Sequence, residues 1–370
     1  MVNAPPISTG QALRLLQAGW QAQAGHGLRA SWMLHGRPGI GKTEIVQALA
    51  AGMGARLYDL RLTTIEPQDL RGLPFFDMET RRTVWFRPED LPDDPARPSV
   101  LFLDELTAAP PHLQPTVYGL LHERRVGGHV LPDSCFVVAA GNMVEDGAIA
   151  YEMGTALSDR LIHLHLAANA EDWVQNYAIP QGLDPAVIAF IRTRPDCLDT
   201  TEIALREGEM IACTPRSWAR ASALMGALPD RDLRNIALAG VLGEAVAAEF
   251  RLIADEIAAT VQIDALLEAA ARDRPGLYPP SLHGMTALVY ALIARADAAC
   301  LPRIIEIMAE LRGLGGARGG AFAAMPLAEL GTHGVELLIA RALQQGWQEA
   351  FLTSRSYAAY MAEREAAGLG

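Results

Sequence analysis

Gly36-Arg37-Pro38-Gly39-Ile40-Gly41-Lys42-Thr43 is the stretch whose reading decides the fold. It fits G-x-x-x-x-G-K-[ST] at every constrained position. Glycines let the backbone curl until successive N–H groups point into a hollow of anion size. A helix starting at its end adds partial positive charge to that hollow. Lys42 carries a mobile full charge suited to β- and γ-phosphates, and Thr43 offers a hydroxyl to Mg²⁺. The expected cradle is Gly36, Pro38, Gly39, Ile40, Gly41, Lys42, Thr43 and Glu44, with ATP as ligand and Mg²⁺ as co-ion.

The flanks agree with this reading. Ala30–His35 is an apolar run before the loop, and Glu44–Met53 carries apolar residues at helical spacing after it. Arg56–Leu62 alternates like a strand. Ser99–Leu103 and Cys135–Ala140 are short apolar runs, and Leu161–Leu166 alternates apolar residues with histidines. Strands interleaved with helices predict an α/β fold, a parallel sheet flanked by helices. In such sheets ligands bind outside the carboxyl ends of the strands.

Ser99-Val100-Leu101-Phe102-Leu103-Asp104-Glu105 reads as the second half of the site: a buried strand ending in two carboxylates. Asp104 is expected to join Thr43 in holding Mg²⁺. Glu105 is expected to orient and deprotonate the attacking water.

Beyond about residue 168 strand signals fade. Helices are predicted over Ala170–Tyr177, Pro185–Thr193, Pro215–Met225, Arg231–Ala258, Ile263–Ala271, Ser281–Ala298 and Val335–Tyr360, the last broken near Gly346. Pro74–Pro98 reads as an insertion plus a loop with one strand, Thr83–Phe86. Arg312–Gly320 is rich in glycine and arginine; it reads as a linker, the alternatives being an RNA-binding patch or a flexible substrate loop.

The run Leu101–Glu105, a strand ending Ala140-Gly141-Asn142, and Leu157-Ser158-Asp159-Arg160-Leu161 together resemble an AAA+ ATPase, within it the MoxR-type branch of chaperone-like motors. The resemblance implies an AAA+ parallel-sheet core over 1–168, an all-α lid over 169–255 and a helical extension over 256–370. It implies that Asn142 is a first sensor contacting the γ-phosphate and the lytic water. Arg160 would be an arginine finger acting on the nucleotide of a neighbouring copy, which implies a ring, usually of six. Thr214-Pro215-Arg216-Ser217-Trp218 resembles the second-sensor motif, with Arg216 on the γ-phosphate and Arg220 as the competing choice; Thr214 also suits a helix cap. The catalytic set is thus Glu105, Asn142, Arg160 and Arg216.

Two segments occupy positions where relatives carry insertions facing a pore or a partner: Thr63–Pro74, and Arg124–Pro132 as a hairpin with a Gly-Gly turn. Ordinary connecting loops are the plainer reading of both. Val241–Phe250 resembles the lid end of MoxR-type proteins that accompany von Willebrand A-domain partners, which makes such a partner the expected one. His163 and His165 read as packing residues rather than metal ligands.

Composition bounds the functions. The net charge of −12 argues against a general nucleic-acid binder. The start of the chain lacks the charged and apolar regions of a signal peptide, and no long apolar run suggests a membrane span. Cys135, Cys197, Cys213 and Cys300 form no C-x-x-C pair and read as reduced thiols of a cytoplasmic protein. The leading function is an oligomeric ATPase that remodels or activates a protein partner. A DNA-associated motor, supported locally by Arg124, Arg125 and His129, and a non-hydrolysing scaffold are the alternatives.

Overall fold

The computed structural model describes residues 3–147, 154–318 and 320–366. Its contacts gather into two compact units, Met1–Trp173 with Leu198–Ser217, and Val174–Cys197 with Trp218–Gly370.

Among the described residues the first unit holds ten strands: β1 (Pro6–Ile7), β2 (Ser31–His35), β3 (Arg56–Arg61), β4 (Pro74–Asp77), β5 (Arg82–Trp85), β6 (Ser99–Asp104), β7 (Arg125–Val126), β8 (His129–Val130), β9 (Cys135–Gly141) and β10 (Leu161–Leu166). Six of them form a sheet in the order β1-β10-β2-β9-β6-β3, every neighbour pair parallel. Strands β2, β6 and β9 are buried along their whole length, because helices cover both faces. Their residues alternate between two cores. Trp32, Leu34, Val100, Phe102, Phe136 and Val138 pack on one face with α1 (Thr9–His26) and α2 (Lys42–Gly52). Met33, Leu101, Leu103, Val137 and Ala139 pack on the other with Leu113, Val117 and Leu120. Each such burial contributes about 2 kcal/mol.

The sequence reading did not identify α1, although Ser8-Thr9-Gly10-Gln11 carries its start signal. Ser8 Oγ accepts from Gln11 N at 3.2 Å and Gln11 Oε1 accepts from Ser8 N at 2.9 Å, a capping box. In the Pro74–Pro98 insertion, a single strand was expected; β4 and β5 instead pair as an antiparallel hairpin. Its base needs Gly72, whose φ is +80° and where a Cβ would fall 1.7 Å from the Phe86 carbonyl oxygen. The Arg124–Pro132 hairpin is present as β7 and β8.

Among its described residues the second unit holds helices and no strand. Trp218 is fully buried between Phe190 and Phe250, with ring centroids 5.1 and 5.5 Å away, and donates to the Cys197 carbonyl at 2.8 Å. Arg274 is fully buried and paired with Glu306 and Glu310. Two expectations are corrected here. Arg231–Ala258 is two helices, Arg231–Leu242 and Glu244–Thr260, because Gly243 takes φ +80° between them. Arg312–Arg318 is the end of the helix Leu301–Arg318 rather than a linker. Arg312 pairs with Glu363 at 2.9 Å and stacks 4.6 Å from the Tyr360 centroid. Gly319, within the expected linker, lies outside the described residues.

Candidate nucleotide site

Parallel register brings the strand ends to one edge. His35 pairs with Gly141, Leu103 with Ala139, and Arg61 with Asp104. The residues just past those ends, Gly36, Asn142, Glu105 and Thr63, therefore gather at the carboxyl edge of the sheet.

The candidate phosphate loop, Gly36–Thr43, leaves β2 at Gly36. Gly39 and Gly41 have φ of +81° and +107°, conformations that L side chains rarely adopt. A Cβ at Gly39 would also meet the Thr214 hydroxyl at 2.7 Å. Helix α2 begins at Lys42 with no side-chain cap, so its first-turn amides stay free for an anion. Glu44 Oε2 is buried with no hydrogen-bond partner among the described residues, an acceptor that a donor on a bound group would satisfy. The loop is braced from outside by Arg37, whose guanidinium lies 3.7 Å from Asp146, 3.5 Å from Asp199 and 3.5 Å from Glu202.

Lys42 Nζ donates to the Gly36 carbonyl at 2.6 Å, the Arg37 carbonyl at 3.1 Å and Asn142 Oδ1 at 2.8 Å. Asn142 is held in turn, its carbonyl accepting from the Thr107 hydroxyl at 2.9 Å. Burial pushes the Lys42 ammonium down to about 8; Asp104 and Asp146 oppose the shift and Arg216 adds to it. The charge of Arg216 thus acts at the loop, and its backbone N–H donates to the Gly39 carbonyl at 3.1 Å. A lysine that titrates near 8 sets a pH dependence. Anion affinity should be flat below pH 8. Above it, affinity should fall about tenfold per unit, because the free protein loses a proton that the complex retains. Fluorescent-nucleotide titrations from pH 6.5 to 9.5 check this.

Asp104 is buried, and its Oδ1 accepts from Glu105 N at 2.8 Å. Glu105 has φ +59°, one of three non-glycine residues with positive φ among those described. Such backbone strain persists only where the surroundings impose it. The Thr63 hydroxyl donates to Glu105 Oε2, and Arg61 Nε lies 3.8 Å from Oε1. Thr63, Arg61, Thr107 and the three carboxylates around Arg37 were not anticipated as site residues. The signal for Arg61 and Thr63 was their place at the end of the strand that pairs with Ser99–Asp104.

Arg160 lines a cavity of about 480 Å³ with Arg71, Tyr118, His122 and Arg125. The cavity that Arg160 lines includes no residue of the loop Gly36–Thr43. Arg124, expected to be available in the hairpin, is half-buried instead; it donates to the Cys135 carbonyl and to Gln23 Oε1. Among the described residues no cluster of His, Cys, Asp and Glu suits a metal ion. No helix among them is long and apolar enough to cross a membrane.

The segment 31–163 matches the AAA ATPase family. Its full description is ATPase family associated with various cellular activities. The matched segment contains the loop, both carboxylates, Asn142 and Arg160. The chain is also 30% identical over 136 residues to the uncharacterized protein YeaC of Bacillus subtilis (strain 168), a match covering 35% of this chain and 40% of that relative. The chain thus spans well under two thirds of YeaC. The RuvB Holliday junction branch migration motor of Thermotoga maritima is a structural neighbour at TM-score 0.35 and 15% identity, over 91% of this chain and 88% of that one.

Proposed function

We propose that this protein is an ATP-hydrolysing, MoxR-type AAA+ motor that works as a ring, usually of six, and remodels or activates a protein partner. The contact that carries the reading is Lys42 Nζ on Asn142 Oδ1 at 2.8 Å. It joins the phosphate-binding charge to the side chain placed to sense a γ-phosphate, beside the paired carboxylates.

The chain's own groups divide the work. The curled loop and the α2 amides bind the phosphates, and Lys42 neutralises their charge. Thr43 and Asp104 would hold Mg²⁺, which supplies further charge neutralisation at the phosphate oxygens. Glu105 takes the proton of the attacking water, for which its carboxylate must release Thr63 and Arg61. Asn142 orients that water, and Arg216 meets the γ-phosphate from the same copy. Arg160, away from its own loop and beside Arg71 and Arg125 in a basic cavity, suits delivery to a neighbouring copy's nucleotide.

The β4–β5 hairpin favours a protein partner over DNA. Phe76 and Met78 are 73% and 85% exposed, and Leu73, Phe75 and Phe86 are exposed beside them. Exposed apolar clusters of this kind mark protein contacts. Loss of Arg124 from the available surface and the net charge of −12 weaken the DNA reading. A von Willebrand A-domain protein remains the proposed partner, and the cytoplasm the proposed location.

Mixed assemblies test the shared site. Arg160→Ala chains lack the finger and Glu105→Gln chains lack the base, so each is expected to be inactive alone. Mixed together, interfaces pairing an intact base with an intact finger should restore turnover. Absence of recovery at every ratio, with co-assembly verified by light scattering or crosslinking, sinks the shared-site reading.

A further inference from the structure

Two histidines inside the sheet connect the phosphate loop to the turn that carries Arg160. His35 is the last residue of β2, directly before Gly36, and is only 5% exposed. Its Nε2 lies 2.7 Å from Nδ1 of His163 on the adjacent β10, and the two rings stack with centroids 5.0 Å apart. His163 Nε2 lies 2.9 Å from the Ser158 carbonyl and 3.1 Å from the Ser158 hydroxyl. Ser158 ends the short helix Thr155–Ser158, and Arg160 N donates to the Leu157 carbonyl at 3.1 Å, closing the turn.

A carbonyl can only accept, so this network assigns the proton to His163 Nε2. In the tautomer that carries its proton on Nε2, Nδ1 accepts and His35 Nε2 donates to it. The chain then runs from His35 through His163 to the Ser158 backbone. Burial first, then His163, His165 and Lys42, push His35 down to about 3, so the neutral form holds across the working pH range. Such a buried polar pair adds little stability that apolar side chains of equal volume would not. What it adds is a directional link of fixed length.

We propose that His163 is a positioning residue for Arg160. It ties the Ser158–Arg160 turn to the strand that ends in the phosphate loop. The inference rests on the shared-site reading above.

The test compares His163→Leu, which breaks both bonds, with His163→Gln, whose amide N–H can still donate to the Ser158 carbonyl. Both variants should bind fluorescent ATP as the unaltered protein does. Turnover of the Leu variant should fall about tenfold or more, the size expected when a transition-state group is displaced. The Gln variant should retain most of it. The deciding readout is mixing. A misplaced finger leaves the variant's own base intact, so Glu105→Gln chains should rescue His163→Leu as they rescue Arg160→Ala. Rescue of Arg160→Ala but not of His163→Leu overturns the positioning role and leaves the shared site standing. Rescue of neither removes both. If His163→Leu does not fold, the Gln variant decides: turnover as low as that of Arg160→Ala, with normal nucleotide binding, overturns the link through the Ser158 carbonyl.

Discussion

Glu105→Gln is expected to lower ATP turnover by about 10²–10⁴-fold, the range for loss of a positioned general base. Nucleotide affinity should be unchanged. The amide fills the same volume as the carboxylate and can still accept from the Thr63 hydroxyl, so the strained φ of +59° at Glu105 keeps its support. It cannot accept a proton from water. The substitution also removes the ion pair with Arg61, but that pair spans 3.8 Å between well-exposed groups and contributes little to stability. Steady-state phosphate release and a nucleotide titration on the same preparation check the two halves. Turnover equal to that of the unaltered protein would exclude Glu105 as the base and remove the mechanism's central step.

Lys42→Ala is expected to act on the other term. It deletes the one side-chain ammonium at the phosphate loop, whose three bonds to Gly36, Arg37 and Asn142 place it at the hollow. A charge-assisted hydrogen bond of this kind contributes about 3 kcal/mol, roughly a hundredfold in affinity. The loss should appear as weaker binding of ATP and ADP alike, and it should abolish the decline in affinity above pH 8. The fold should survive. Beyond the bonds of Lys42 itself, the loop's conformation rests on the positive φ of Gly39 and Gly41 and on the bracing of Arg37 by Asp146, Asp199 and Glu202, which remain. Calorimetric titration at pH 7 and pH 9 separates this outcome from simple unfolding. Unaltered affinity would mean that the loop binds no phosphate.

The two substitutions divide binding from chemistry, and that division was legible in the order of residues. Gly36–Thr43 and Leu101–Glu105 are short, contiguous and made of residue types whose local physics is narrow. Only glycine takes the loop's positive φ cheaply, and only a strand buried on both faces reads as an unbroken apolar run. The α/β class followed from the same signals. Local errors arose where one residue overrode a long pattern, as at Gly243, or where composition stood in for structure, as at Arg312–Arg318.

What the sequence by itself determined was the glycine loop Gly36–Thr43 that opens a helix, the carboxylate pair at the end of a strand and the parallel sheet that joins them. What only the tertiary structure decided was who holds those groups. Thr63 and Arg61 on Glu105, the carboxylates around Arg37, and His163 against His35 are all contacts between segments far apart in the chain. Backbone curvature and strand burial are written in neighbouring residues. Side-chain partnership across strands depends on register, and register is set only when the whole core packs.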